Sequence, residues 1–143
     1  MNTKVILTFL LLFTLTVTHA QRKKISISEL PEKSKTFLAE HFPNIAINHV
    51  SRDPEYGEKG YEVRLADGTE VEFWKDGGWR EVDGHKKPIP TAYISAEILE
   101  YVKTNYPNEK ITHVDLGHKY IDVDLTNRID LDFEQNGKIR KSD

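Results

Sequence analysis

"FPNIAINHV", residues 42–50, is echoed 64 positions later by "YPNEKITHV", residues 106–114. Laying Leu30–Val50 on Ile94–Val114 without gaps sets Phe37 on Tyr101, Leu38 on Val102 and Phe42 on Tyr106. Pro43, Asn44, Ile47, His49 and Val50 fall on identical residues. A second block follows in the same order. "VRLADGTEVEFWKDGGWREVD", residues 63–83, lies on "VDLTNRIDLDFEQNGKIRKSD", residues 123–143, with Val63, Leu65, Phe73, Gly77, Arg80 and Asp83 on identical residues. The offset drops from 64 to 60, so the first copy carries four extra residues near "RDPEYGEKG", residues 52–60. Two matching blocks in one order define an internal repeat of about 60 residues.

Each copy opens as a helix. Leu30, Phe37, Leu38 and Phe42 recur near the 3.6 period with charged residues between them, and Ile94, Ile98, Tyr101, Val102 and Tyr106 do the same. Ser28 is the expected N-cap of the first helix, with Pro31 in its first turn. Pro43 and Pro107 stop the two helices, because proline disfavours helix at the residue before it. The rest of each copy alternates at period two, which predicts four strands: 45–51, 60–66, 69–75 and 78–83, then 110–116, 119–126, 129–135 and 138–142.

Turn chemistry decides which side chains share a face. In "FWKDGGW", residues 73–79, a two-residue turn at Asp76-Gly77 pairs Trp74 with Trp79, whereas a three-residue loop with left-handed Gly77 pairs Phe73 with Trp79. The second copy discriminates: the longer loop pairs Phe133 with Ile139, the shorter one Glu134 with Ile139. One buried face requires the three-residue loop in both copies. The same logic pairs Val63 with Val71 and Val123 with Leu131, and it puts Arg128 where Gly68 sits, a strained place for a side chain. The core face then holds Val63, Leu65, Val71, Phe73 and Trp79, and Val123, Leu125, Ile129, Leu131, Phe133 and Ile139. The opposite face shows Glu62, Arg64, Glu70, Glu72, Trp74 and Arg80, then Asp122, Asp124, Asp130, Asp132, Glu134 and Arg140.

An α+β fold follows: two tandem α-β4 repeats, helices packed on one face of antiparallel sheet, the opposite face open. The repeats are residues 21–87 and 88–143, with "GHKKPIPTAYIS", residues 84–95, as linker. A unit of about 60 residues buries too little surface to stand well alone, so the two form one body.

The open face carries the candidate site. Trp74, a large aromatic on a polar strand face, is the expected binding anchor, with Glu72, Arg80, Asp130 and Asp132 around it. Asp122, Asp124, Asp130 and Asp132 can be drawn as a cation site, but "DVDLTNRIDLD" lacks the spacing of a calcium loop, and charged alternate positions are ordinary on a solvated strand. No metal ligand set or cofactor is therefore assigned. His49 and His113, at matching places, are expected to pack or cap. No HExxH, nucleophile elbow or phosphate loop is present, so no enzyme activity is expected.

Residues 1–20 read as a signal peptide: Lys4, an apolar run of signal-peptide length, and small Thr18 and Ala20 before the cut. No cysteine occurs, which rules out disulfides and a cysteine-linked lipid anchor. Residues 21–143 hold 19 basic and 23 acidic groups, a balance against nucleic-acid binding and in favour of a protein or peptide partner with a basic patch. The expected location is periplasmic or secreted, without stable membrane insertion after cleavage.

The paired "FPN…I.HV" and "YPN…I.HV" turns, with the hairpins "VEFWKDGGWREVD" and "LDFEQNGKIRKSD", resemble the PepSY-like, β-lactamase-inhibitor-like family over nearly all of residues 28–143. The resemblance implies the tandem α-β4 fold of the β-lactamase inhibitory protein, whose sheet forms a concave protein-binding surface, and it implies no enzyme activity. Inhibition of a hydrolase or peptidase is one form such binding takes. Binding of a small ligand or cation at the junction of the repeats is the alternative.

Overall fold

In this computed structural model the structure describes residues 22–53 and 59–142; the expected signal peptide lies outside them, as does most of the insertion in the first copy. Two lysines form a short β1 (Lys23–Lys24), and a 3-10 turn at Ile27–Glu29 leads into α1 (Glu32–His41). The strands β2 (Ile47–Arg52), β3 (Lys59–Leu65), β4 (Glu70–Trp74) and β5 (Trp79–Asp83) complete the first copy. The second copy is α2 (Ala96–Asn105), β6 (Ile111–Leu116), β7 (Tyr120–Leu125), β8 (Asp130–Glu134) and β9 (Ile139–Ser142). The cap of α1 is Pro31, not Ser28, which belongs to the preceding 3-10 turn. Pro31 has no N–H to leave unpaired at a helix start. At α2 the cap is Ser95, whose hydroxyl accepts from the Ile98 N–H.

All nine strands join one antiparallel sheet in the order β1 to β9, each paired with its neighbours in sequence. The repeats thus share a continuous sheet. Their seam is β5 with β6, in register at Glu81–Asp115, Val82–Val114 and Asp83–His113. β1, which the period-two pattern does not announce, lies on β2 through Lys23–Arg52 and Lys24–Ser51. It gives the first copy the outer neighbour that β5 gives the second.

Both helices cover one sheet face. Val63, Val71, Val82, Val114, Val123 and Leu131, one from each of six strands, are completely buried there, and burying such a side chain contributes roughly 1.5–3 kcal/mol. The predicted pairs Val63–Val71, Phe73–Trp79, Val123–Leu131 and Phe133–Ile139 all form. Gly77 and Gly137 take φ of 85° and 82°, as the three-residue loops require, and Arg128 sits at φ 70° in the place of Gly68.

The linker is packed rather than slack. Ile89 and Ile94 join the core, and the Tyr93 ring stands 4.9 Å from each of Phe37, His41 and Trp79. A residue between the copies thereby ties into the aromatic cluster of the first.

Candidate functional site: an acidic sheet face

The last strand of each copy bends the alternation. Register slips between Glu72 and Phe73 on β4, so Phe73 faces Trp79 while Glu72 faces Glu81. β8 and β9 repeat the slip, with Phe133 facing Ile139 and Asp132 facing Lys141. A bulge inserts one residue into one strand and changes which side chains face which way. Here it sends Val82 into the core and turns Glu81 to the open face beside Arg80.

A row of carboxylates results. Glu62, Glu72, Glu81, Asp115, Asp122 and Asp132 face one another successively across β3, β4, β5, β6, β7 and β8. Beside it runs a mixed row, Arg64, Glu70, Asp83, His113, Asp124 and Asp130. Like charges directly opposite one another on a sheet repel, so the row needs counter-charges. Arg22 pairs with Glu62 and approaches Glu72. Arg80 pairs with Glu72, with Glu81 and, at 2.8 Å, with Asp115. Its guanidinium lies 5.6 Å from the Trp74 ring centre, and Trp74 in turn meets His118 at 5.4 Å.

The candidate residues separate into two groups. Glu72, Trp74 and Arg80 form one contiguous unit. Arg80, however, is only 6 % exposed and its two terminal nitrogens are paired with three carboxylates, so it holds the face together instead of presenting a free cation. Burial lowers its proton affinity, but Glu72, Asp115 and Glu81 outweigh that and raise it. Asp130 and Asp132 sit on β8, across from Asp124 and Asp122. Pattern reasoning missed Glu81 and Asp115 and read His113 as a packing or capping residue, where it meets Glu81 and Asp124; Val82 between two acids was the available sign that β5 changes parity.

His113 links the seam to the second group. Its Nε2 meets Glu81 at 3.1 Å and its Nδ1 meets Asp124 at 3.3 Å. Burial pushes its pKa down, but the Glu81 hydrogen bond and the charges of Glu81, Asp124 and Asp83 together lift it to about 9. Beyond His113, carboxylates that read as ordinary solvated strand charges converge: ligand atoms of Asp122, Asp124 and Asp130 lie within 4.8 Å of one another. Burial first, then the hydrogen bond and charge of Asp130, raises Asp122 to about 7.

The first copy shows the same three places filled differently. Glu62, Arg64 and Glu70 correspond to Asp122, Asp124 and Asp130, and Arg64 Nη2 reaches Glu70 at 2.6 Å and Glu62 at 3.6 Å. One copy carries its own cation at a place where the other carries a third carboxylate.

A duplicated α+β body, its helices on one side of a nine-stranded sheet and charged groups on the other, defines the class of protein. The chain belongs to the PepSY-like family, described as "Putative beta-lactamase-inhibitor-like, PepSY-like", whose model matches residues 16–63 and 59–141. Among solved structures it is similar to a "putative calcium-regulated periplasmic protein" of Bacteroides thetaiotaomicron, at 33 % identity and TM-score 0.80 over 85 % of this chain and 95 % of that one. It is also similar to a periplasmic-type protein of the DUF2874 family from Bacteroides vulgatus, at 28 % identity and TM-score 0.82 over 86 % and 97 %. No curated protein matches. The family is not a known enzyme family, and no helix among the described residues is long and apolar enough to cross a membrane.

Proposed function

We propose that this is an exported, non-enzymatic binding module of the periplasm that engages a basic protein or peptide through its acidic sheet face. The carboxylate row across six strands carries this reading. Arg22 and Arg80 neutralise its first part, and the second part offers the carboxyl groups of Asp130 and Asp132 to a partner. Trp74, half-buried beside Arg80, supplies an apolar anchor at the rim. Inhibition of a hydrolase or peptidase is the specific form that the family description favours. The test is capture of a basic partner from periplasmic extract, repeated with Asp130→Lys/Asp132→Lys. Capture by the parent chain that weakens with salt and is lost in the variant supports the reading; equal capture by both removes it.

A second reading is calcium binding at Asp122, Asp124 and Asp130. The internal comparison favours it, because a guanidinium occupies the corresponding place in the first copy, and a structural relative is described as calcium-regulated. The three carboxylates are hard oxygen donors of the kind calcium takes, so the residues fit the ion. Calcium must displace the Asp122 proton, so affinity should rise as pH passes about 7. A thermal upshift with millimolar calcium, absent in Asp130→Asn, is expected; no shift in the parent chain ends this reading.

A further inference from the structure

The chain has two tryptophans, and both line one cleft on the first copy. Between α1 and the β4–β5 hairpin lies an open space of about 640 Å³, bordered by Phe37, Trp74, Trp79, Lys33, Glu40 and Asp76. Its volume lies in the range of small-ligand sites, roughly 300–1,000 Å³. The walls are held in place before any ligand arrives. Trp79 stacks on Phe37 at 6.0 Å and meets Tyr93 at 4.9 Å, and Trp74 is fixed by Arg80 and His118. The hairpin tip is pressed against the helix start: the Ser34 hydroxyl donates to the Gly77 carbonyl at 2.9 Å, and a Cβ on Gly77 would lie 2.6 Å from Pro31.

The fold does not require these aromatics. Trp74 and Trp79 correspond to Glu134 and Ile139 in the second copy, which builds the same loop and the same bulge with them. Both indoles are half-buried, so each keeps part of its surface open. The polar rim has both signs: Lys33 pairs with Asp76 at 3.5 Å, and exposed Glu40 lies about two turns further along α1. A cationic ligand would meet Lys33, an anionic one Glu40 and Asp76, and a wholly apolar one would strip water from all three without replacing their hydrogen bonds. A neutral ring with an apolar face and hydroxyl edges satisfies both parts of the cleft. The geometry points to a saccharide-binding site here, with a glycan ring against the indoles and its hydroxyls on Lys33, Glu40 and Asp76. This site shares Trp74 with the rim of the acidic sheet face, but sugar binding in the cleft does not depend on that face binding anything.

Because both tryptophans border the cleft, intrinsic fluorescence reports it directly. The full chain is titrated with maltose, cellobiose and N,N′-diacetylchitobiose. At least one is expected to give a saturable blue shift with a Kd of about 1 mM or tighter. Lys33→Ala/Glu40→Ala, two exposed helix positions, should raise that Kd at least about tenfold while leaving the melting temperature unchanged, and Asp130→Asn/Asp132→Asn should leave the Kd as it is. No saturation with any of the three sugars, an undiminished shift in Lys33→Ala/Glu40→Ala, or saturation only with N-acetylphenylalanine amide would overturn the assignment; the last would mark the cleft as a seat for a partner's aromatic side chain.

Discussion

Arg80 shows how a side chain can lie on the exposed side of a sheet and still be internal. Reading its position alone makes it a contact residue whose truncation leaves the fold intact. In place, it is buried among Glu72, Glu81 and Asp115. Removing one partner of such a cluster strands the others, which costs roughly 3–5 kcal/mol. Arg80→Ala should therefore lower the melting temperature by on the order of 10 °C, and a melt within a degree or two of the parent would contradict the network. His113 makes the second residue-scale prediction. Its pKa is raised to about 9, above the ordinary 6.5, so its contribution is fully present below about pH 6.5 and lost as pH rises through 9. Asp122, raised to about 7, acts in the same direction over a lower window: an acid whose folded pKa is raised favours the folded state least once it must ionise, between about pH 4 and 7. Melting temperatures followed from pH 6 to 9.5 should fall. His113→Gln should start lower and lose the decline between pH 6.5 and 9; an unchanged slope in that variant would place the titration elsewhere.

At the scale of single elements, the hairpin loops were legible because both copies had to obey one pairing rule. Phe133 and Ile139 settled what Phe73, Trp74 and Trp79 left ambiguous. The bulge at Trp79–Arg80 was harder to see, since alternation counts positions and a bulge adds one without a distinct residue type. Its trace was Val82, apolar where strict alternation from Trp79 called for a polar side chain. β1 was invisible for a different reason: two exposed lysines carry no periodicity, and an edge strand is made by its partner's free backbone groups. Three glycine-type corners give a graded test. Gly77 and Gly68 share a positive φ, but a Cβ on Gly77 collides with Pro31 whereas one on Gly68 meets nothing within 4 Å. Gly68→Ala should cost about 1 kcal/mol from backbone strain. Gly77→Ala should cost clearly more, because the hairpin must also draw away from α1. Arg128→Gly, relieving φ 70°, should stabilise slightly or be neutral. Urea midpoints rank the three, and equal losses at Gly68 and Gly77 would show that the tip is not pressed on the helix.

For the whole molecule, helices on one side and charges on the other followed from strand parity and turn type, and the structure keeps that division throughout. The candidate site was half legible. The acids of β7 and β8 and the Trp74–Arg80–Glu72 unit could be named, but not the row joining them, because the row crosses the seam between copies. Nothing in either repeat says that β5 will hydrogen-bond to β6. That seam, with Tyr93 and a core spanning both copies, predicts one unfolding transition for the full chain. Denaturation followed by aromatic near-ultraviolet signal, which weights the tryptophan-bearing first copy, and by backbone signal should coincide; two separated transitions would mean the copies unfold independently.

Every strand in this sheet is bonded only to the strands before and after it in the chain. Such wiring keeps partners close along the polymer, so strands can zip up in order of synthesis with little loop closure to overcome. It also leaves the outer edge at β9 as the natural place for growth. Another sixty residues appended there could lengthen the sheet without severing one existing ladder.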